Sequence, residues 1–330
     1  MNNHQANQGA SRRKLLSVIM PAYNEEENLP RAFDEVRSIF STHLANYDYE
    51  VLLIDNCSSD LTNKVCESIC EQDRRWRYIR FSRNFSSEIS IAAGLRYAKG
   101  DATIVLFSDL QDPPELIPQF VKQWESGSDI VCGLLKKRQD GVWWKTLGAR
   151  LAYAILSNYT DINIPRNVTD YRLMSRQVVD AMNKLGEQNR YFRGLVHWVG
   201  FRTSTVEYER RPRIKGESKA PFWYLTDFTI RALTSFSVAP LRLFGALGGG
   251  ILVATSLYSV ATACLWSVGA AIPGLTTVYI LLLANLGVLS LGIGTLGEYI
   301  GRIYIETKHR PLWVVAEMRN IDIEKDQVFG

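Results

Sequence analysis

Short apolar runs alternate with amphipathic segments along the front of the chain. Runs rich in β-branched and aromatic residues predict strands at 15–20, 49–54, 78–81, 103–107 and 129–132. Between them, apolar residues recur at helical spacing in 25–40, 61–70, 88–98 and 115–124. Leu29, Phe33, Val36 and Phe40 form one such stripe. This order predicts an α/β domain in which helices cover a mostly parallel sheet.

The rear of the chain contains an uncharged apolar stretch. Residues 243–297 include no Asp, Glu, Lys, Arg or His, whereas the preceding segments carry charge at ordinary density. A hydrocarbon core takes about 20 helical residues to cross, so this stretch predicts two transmembrane helices, at 241–266 and 274–297. Arg242 precedes the first helix and Arg302 follows the second, which by the positive-inside rule places both ends in the cytosol. The alternative is a buried hairpin in a soluble protein.

Composition completes the division of the chain. The predicted segments are a disordered polar tail (1–13), an α/β domain (14–220), membrane-interface helices (221–240), two transmembrane helices (241–297) and a cytosolic C-terminal tail (298–330). The five cysteines are scattered, and a cytosolic location keeps them reduced. The net charge of +4 suits a surface near anionic lipid, and no nucleic-acid partner is expected. The expected location is the plasma (inner) membrane.

Polar residues follow three of the predicted strands, at 21–26, 55–60 and 108–115. Ligands of open α/β sheets lie beyond the carboxyl ends of the strands, so these segments are expected to meet at one rim. Carboxylates with few lysines nearby suit a divalent cation, and a cation suits a diphosphate. Neither a dinucleotide fingerprint nor a P-loop is present. Taken singly, Asn24, Ser58 and the Pro-Pro-Glu segment also suit ordinary helix starts.

At this point the residues resemble glycosyltransferase family 2, in the polyprenyl-phosphate branch that includes dolichol-phosphate mannose synthase and bacterial bactoprenol glucosyltransferases. The resemblance covers about 15–315. It rests on P-A-Y-N-E-E at 21–26, I-D-N-C-S-S-D at 54–60, S-R-N-F at 82–85, D-L-Q-D-P-P-E at 109–115, T-D-Y-R-L-M-S-R at 169–176, G-E-S-K at 216–219, S-F-S-V-A-P-L-R at 235–242 and G-E-Y-I-G-R-I-Y at 297–304.

The resemblance implies a GT-A fold, a nucleotide-diphosphate sugar as donor, and Mg²⁺ or Mn²⁺ as cofactor. It implies that Asp109 and Gln111 lie at the metal and that Asp109 is also a catalytic residue. The nucleotide-binding residues that it implies are Pro21, Ala22, Tyr23, Glu25, Asp55, Asn84 and Asp109. The chain departs from the family pattern at Phe107, where the family has the first aspartate of its metal motif. It also departs at Asn56 and Cys57, where the family has Asp and Gly, and at Ser87, where the family often has Lys.

The implied reaction is inverting transfer of one sugar, with UDP-glucose as the expected donor, to the phosphate of undecaprenyl phosphate. Asp170 is the second candidate catalytic residue, either positioning the acceptor or stabilising positive charge on the sugar; alternatively it pairs structurally with Arg172 or Arg176. A lipid phosphate needs cations near the membrane. The candidates for that role are Arg138, Arg210, Arg213, Ser218 and Lys219.

Several other functions fit parts of this pattern. A GDP-mannose-dependent mannosyltransferase differs from the favoured reading only in its donor. A processive polysaccharide synthase carries Q-x-x-R-W, which 72–76 matches literally, but ahead of Asp109 and so in the wrong place. A non-catalytic lipid-binding scaffold is suggested by Phe107, and a channel or flippase is disfavoured by the uncharged spans. Self-association into a homo-oligomer is expected of so small an intramembrane body.

Overall fold

The chain forms two compact units, seen in a computed structural model that describes residues 12–136, 167–188, 190–211, 239–269 and 274–321. Of these, the first unit contains 12–136, 167–188, 190–211 and 310–321, and the second unit contains 239–269 and 274–309. The candidate phosphate ligands Arg138, Arg213, Ser218 and Lys219 lie outside the described residues, as do almost all of the expected interface helices at 221–240.

The first unit alternates strands and helices as the sequence predicts. Its elements are β1 (Leu15–Ala22), α1 (Leu29–Thr42), β2 (Asp48–Asp55), α2 (Thr62–Gln72), β3 (Trp76–Phe81), α3 (Ser87–Tyr97), β4 (Ala102–Val105), a 3-10 turn (Pro114–Leu116), α4 (Ile117–Glu125), β5 (Ile130–Leu135), β6 (Val168–Ser175), α5 (Arg176–Asn183), α6 (Phe192–Trp198), β7 (Thr203–Tyr208) and β8 (Val315–Arg319).

The strands form one sheet in the order β7-β5-β6-β4-β1-β2-β3-β8. β4, β1, β2 and β3 are parallel to one another, and β5 pairs with β7 in parallel. β6 is antiparallel between β4 and β5, and β8 is antiparallel on the far edge. The mostly parallel α/β sheet predicted from the sequence is confirmed. Because β1, β2 and β4 run in the same direction, their carboxyl ends share one edge.

The core explains why the apolar pattern was informative. Leu29, Phe33, Val36 and Phe40 are all buried on α1, as the helical stripe predicts. Burying a side chain of this size contributes about 1.5–3 kcal/mol. α1 begins at Leu29 rather than at residue 25, because Pro30 favours the first helical turn and the preceding residues form the loop after β1.

The segment 72–76, which matches the synthase motif, is divided between two elements. Gln72 is the last residue of α2, and Trp76 is the first residue of β3 and fully buried. Trp76 packs against Phe33 with ring centroids 5.0 Å apart. These residues therefore form a helix end and a strand start.

The C-terminal segment differs from the expected tail at 298–330. The second apolar helix extends to Thr307, and 315–319 is a strand of the sheet, not a tail. β6, β7 and β8 were not predicted as strands because charged and polar residues interrupt their apolar pattern. Arg172, for example, is fully buried in the middle of β6.

The second unit consists, in its described part, of two long helices in contact with each other, α7 (Ala239–Ser267) and α8 (Leu275–Thr307). By length and composition, segments of both can cross a membrane: Phe244–Thr262 and Leu281–Thr307. Large apolar side chains on both helices are exposed, including Leu252 and Leu283. The predicted spans at 241–266 and 274–297 coincide with parts of these two helices, except that Gly274 directly precedes α8.

Candidate active site

The ends of β1, β2 and β4 are joined by hydrogen bonds into one rim. The Ser108 hydroxyl after β4 donates to the Pro21 carbonyl at 2.9 Å. The Asn56 backbone N–H after β2 donates to the Ala22 carbonyl at 3.0 Å. The three polar segments therefore meet at one edge of the sheet, as expected, and hydrogen bonds between them and the end of β1 hold them together.

The three loops share an unusual backbone geometry. Asn24, Cys57 and Leu110 have φ values of 57°, 63° and 51°. Residues other than glycine rarely adopt this left-handed backbone conformation, which costs about 1–3 kcal/mol at a strained site. Cys57 stands where the resembled family has glycine. Glycine would adopt this backbone conformation at lower cost than cysteine does.

Asp55, the last residue of β2, holds the loop that follows this strand through hydrogen bonds. It is completely buried, and its Oδ1 accepts hydrogen bonds from the backbone N–H and hydroxyl of Ser58, at 2.8 and 2.5 Å. Its Oδ2 accepts from the Tyr78 hydroxyl at 3.1 Å and lies 3.6 Å from Arg80 Nε. Burial and then the Asp55 charge raise the pKa of Tyr78, so the phenol stays a donor. Asp55 thereby fixes Ser58, whose hydroxyl accepts from the Asn24 N–H at 3.0 Å.

Asn56 connects this loop to the segment after β3. Its side-chain amide donates to Asn84 Oδ1 at 2.9 Å, and its own Oδ1 accepts from the Phe85 N–H at 2.8 Å. Asn56 is almost fully buried. An aspartate here could accept the Phe85 bond but could not donate to Asn84. The neutral side chain therefore fits the hydrogen-bond partners that surround it.

Two further predicted nucleotide-binding residues lie on the same rim. Tyr23 is 48% exposed, directly after the buried Ala22. The Glu25 carboxylate accepts from the Asn28 amide at 2.6 Å, and the Glu25 N–H donates to the Thr62 hydroxyl at 2.8 Å. An exposed aromatic ring at a strand end can stack on a planar base.

The loop after β4 is tied to β6 and β7. Asp112 is buried and accepts from the Tyr208 hydroxyl at 2.5 Å and from Arg210 Nε at 2.9 Å. The Tyr171 hydroxyl donates to the Pro113 carbonyl at 3.0 Å. Burial, followed by the Asp112 charge, raises the pKa of Tyr208. Arg210, a candidate phosphate ligand, is thus placed beside the loop that contains Asp109.

Asp170 lies on β6 in an ion pair that the sequence analysis did not predict. Arg193 on α6 donates from Nε to Asp170 Oδ1 at 2.9 Å and from Nη2 to Oδ2 at 2.7 Å. Arg172 lies farther away, at 3.5 Å, while Arg176 pairs with Asp180 instead. Burial alone acts to raise the pKa of Asp170, but Arg193, Arg172 and Arg210 outweigh it, so the net shift is downward. Asp170 is an ionised carboxylate at neutral pH.

His197, one helical turn beyond Arg193, is not a proton donor for this site. Burial, followed by the charge of Arg172, lowers the pKa of His197 to about 4. The imidazole is therefore neutral near pH 7. Neither His197 nor the ionised Asp170 can supply a proton to a leaving group under those conditions.

The metal ligands implied by the resemblance are Asp109 and Gln111. The Gln111 N–H donates to Asp109 Oδ1 at 3.2 Å, so both lie on one turn. Within the described part of the chain, no group of three or more His, Cys, Asp or Glu side chains is placed to hold a metal ion. Mg²⁺ commonly binds one or two carboxylates together with substrate phosphates and water. This donor set fits an ion held mainly by a diphosphate.

The structure brings most of the predicted site together but adds residues of its own. The predicted residues that it describes, all in the first unit, are Pro21, Ala22, Tyr23, Glu25, Asp55, Asn84, Asp109, Gln111, Asp170 and Arg210. Arg193 and Tyr208 were missed by sequence reasoning. Arg193 lies in a short helix 23 residues after Asp170, with no motif to mark it. Arg193 and Tyr208 can be recognised as partners of Asp170 and Asp112 once the fold brings these distant segments together.

Comparison with known proteins identifies relatives over most of the chain. A bactoprenol glucosyl transferase of Shigella phage SfV is 36% identical over 306 residues, which cover 91% of this chain and 97% of that protein. A prophage bactoprenol glucosyl transferase homolog of Escherichia coli (strain K12) is 35% identical over 310 residues, covering 92% and 99%. A solved mannosyltransferase from Pyrobaculum calidifontis, in complex with GDP-Man and Mn²⁺, is 15% identical with a TM-score of 0.46, covering 89% and 86%.

The similarity to these relatives, over more than 90% of the chain, shows that the chain is a glycosyltransferase. The model of glycosyl transferase family 2 matches residues 17–182, and the chain belongs to that family. The family expected from the motifs is confirmed, and the mostly parallel α/β sheet expected with it is present.

Proposed function

We propose that this glycosyltransferase transfers a single glucose from UDP-glucose, with inversion at the anomeric carbon, to the phosphate of undecaprenyl phosphate. The observation that carries the proposal is the rim formed by the ends of β1, β2 and β4, on which Asp109 and the nucleotide-binding candidates stand together. The acceptor is proposed because the relatives named bactoprenol glucosyl transferase align over nearly their whole length.

The proposed reaction is one displacement. A phosphate oxygen of the acceptor forms a bond to the anomeric carbon while the bond to the departing UDP oxygen breaks. A phosphate monoester has a second pKa of about 6, so the acceptor is largely dianionic at neutral pH and needs no strong base. The role proposed for Asp170 is therefore to stabilise positive charge on the sugar or to position the acceptor through Arg193, and not to remove a proton.

Charge on the departing diphosphate needs compensation. Mg²⁺ or Mn²⁺, held by Asp109 and Gln111, would supply it when bound. Arg210 is paired with Asp112 of the loop that contains Asp109, and it is proposed as one ligand of the acceptor phosphate. Arg138, Arg213, Ser218 and Lys219 are proposed as the remaining ligands of the acceptor phosphate because of the sequence motifs that contain them.

The two apolar helices supply the proposed access to a lipid. We place α7 and α8 across the plasma membrane with both chain ends in the cytosol, following the basic residues that flank the uncharged stretch. The domain division at 14–220, 221–240 and 241–297 belongs to this proposal, and so does self-association through the helices. Light scattering of the detergent-solubilised protein tests the oligomeric state.

A transfer assay tests the proposed function. Purified full-length protein is incubated with undecaprenyl phosphate and radiolabelled UDP-glucose, and lipid products are separated by chromatography. The expected product carries one sugar per lipid, with the β configuration by NMR. Undecaprenol, which lacks the phosphate, is the matched acceptor control and should yield nothing.

Other outcomes distinguish the alternatives. Transfer from labelled GDP-mannose but not from UDP-glucose would contradict the proposed donor and sugar, and would leave the proposed acceptor intact. Polymer would indicate a processive synthase. No transfer from any of several nucleotide-sugars would refute the proposal.

Asp170→Asn tests the proposed role of that carboxylate. Turnover should fall by about tenfold or more, the range in which one electrostatic contact in a transition state acts, while nucleotide affinity stays unchanged. The matched variant is Asp180→Asn, which alters an exposed carboxylate paired with Arg176. Unchanged turnover in Asp170→Asn would remove this residue from the mechanism.

A further inference from the structure

The chain following α8 returns to the sheet beside the candidate nucleotide site. β8 pairs with β3 along its length, with Phe81 opposite Val315. Beyond that pair, the Ser82 N–H donates to the Val314 carbonyl at 2.9 Å. Ser82 opens the 82–85 loop, which contains Asn84. The C-terminal segment is therefore hydrogen-bonded to the first residue of a loop on the candidate site.

Aromatic packing strengthens that attachment. Trp313 is 3% exposed and stacks on Phe81, with ring centroids 6.5 Å apart and planes at 23°. Phe81 is fully buried and meets Phe85 edge-to-face at 5.6 Å. Trp313, Phe81 and Phe85 form a continuous row that begins in the C-terminal segment and ends at the far side of the 82–85 loop. Aromatic pairs of this kind contribute about 0.5–1.5 kcal/mol beyond their buried area.

The opposite side of the 82–85 loop is held by the rim. Asn56 bonds both Asn84 and the Phe85 N–H, and its own N–H bonds the Ala22 carbonyl. The loop is thus fixed between the rim and the C-terminal segment. Removing the Trp313 side chain takes away the aromatic packing on one side of the loop, while the Ser82–Val314 bond and the rim bonds stay in place.

We propose that Trp313 is a positioning residue for nucleotide binding, acting through Phe81 and the 82–85 loop. The inference rests on the proposed function in taking Asn84 as part of the nucleotide site. It assigns a role to a segment that sequence analysis treated as a tail. Trp313 itself is buried and need not touch the nucleotide.

The two ends of the C-terminal strand make separate attachments, which supplies a matched control. At its far end, Asn320 donates to the carbonyls of Cys70 and Trp76, each at 2.9 Å. Cys70 and Trp76 lie near the amino end of β3, away from the 82–85 loop. Asn320→Ala therefore loosens the same strand without releasing the loop.

The test measures UDP binding and steady-state kinetics of the full-length protein in detergent. Trp313→Ala should weaken UDP affinity and raise KM for UDP-glucose by about fivefold or more, the cost of ordering a released loop, with kcat changed less than about twofold. Trp313→Leu, which retains apolar volume, should show the same direction and covers the case in which the alanine variant does not fold. Trp313→Phe should restore affinity to within about twofold of wild type.

Asn320→Ala should leave UDP affinity within about twofold of wild type even where its melting temperature falls as far as that of Trp313→Leu. Wild-type affinity in both the alanine and leucine variants, or equal weakening in Asn320→Ala, would overturn the inference while leaving the proposed function intact. A wild-type protein that binds UDP but transfers no sugar would refute the proposed function alone. A wild-type protein that binds no nucleoside diphosphate would refute both.

Discussion

Arg193 offers the sharpest test of the electrostatics around Asp170. Replacing it with methionine keeps most of the side-chain volume and removes the two hydrogen bonds, at 2.9 and 2.7 Å, that bind both carboxylate oxygens. Among the described residues, Arg172, whose Nη2 is 3.5 Å away, then remains as the direct ion-pair partner of Asp170. Because the carboxylate side chain is 22% exposed, water can replace only part of what is lost.

The expected magnitude follows from these contacts. Hydrogen bonds to a charged group contribute about 1.5–3 kcal/mol, and breaking a fully buried pair costs about 3–5 kcal/mol. With Arg172 still in place and some solvent access, we expect Arg193→Met to lower the free energy of unfolding by about 2–3 kcal/mol at pH 7.5. For a domain of this size that is a fall in melting temperature of about 4–12 °C.

The penalty should depend on pH. In the wild type the pKa of Asp170 is lowered, so its stabilising contribution is present above the pKa of an unfolded aspartate and is lost as pH falls through the folded value. Without Arg193 the effect of burial is less opposed and the pKa of Asp170 rises. The variant then takes up a proton as pH falls, which relieves the unpaired charge. The stability difference should therefore be smaller at about pH 5 than at about pH 7.5.

Thermal unfolding in detergent at both pH values, followed by near-UV circular dichroism, measures the difference. Arg31→Met is the matched control, since it removes an exposed arginine from an i,i+4 pair with Glu35 and should cost less than about 0.5 kcal/mol. A penalty for Arg193→Met that is as small as the control, or equal at the two pH values, would refute the reasoning.

Three further substitutions test the packing of the sheet and the rim, all by the same thermal unfolding assay. Cys57→Gly should stabilise the protein by about 1 kcal/mol, because φ is 63° there; a lower melting temperature would show that the thiol contributes more than the backbone strain costs. Gly94→Ala should destabilise it by about 1–3 kcal/mol, because a Cβ would collide with the buried Ile19; no change would mean that α3 can shift freely. Tyr208→Phe should cost about 1–3 kcal/mol, since the Asp112 carboxylate loses a buried hydrogen bond; an unchanged melting temperature would argue against that bond.

The parts of the fold that sequence predicted are those determined by local pattern. β1, β2 and α1 are buried along stretches whose apolar periodicity is evident in the chain, and their positions agree with the prediction to within a few residues. The convergence of the polar segments followed from one general property of parallel sheets, that their carboxyl ends share an edge. No knowledge of tertiary contacts was needed for either inference.

The parts that sequence missed depend on distant pairing. β6 contains a buried arginine and an ionised aspartate, so its pattern does not resemble a core strand, yet β4 and β5 flank it on both sides. β8 is a half-exposed edge strand whose partner, β3, lies more than 200 residues earlier in the chain. Arg193 could be recognised as the partner of Asp170 only once α6 was placed against β6.

The charge of the rim shows how such distant pairing changes a chemical argument. Counting nearby lysines predicts a strongly acidic edge that needs a metal ion for neutrality. In the folded chain, Asp55, Asp112 and Asp170 each face an arginine from a later segment: Arg80, Arg210 and Arg193, respectively. Paired in this way, the three carboxylates contribute little net charge, so a diphosphate approaching the rim meets far less repulsion than the local sequence implies. Phe107 stands where the family's metal motif has its first aspartate. On a rim whose carboxylates are already paired with arginines held by the fold, less positive charge is needed from a metal ion, so the loss of that aspartate costs less.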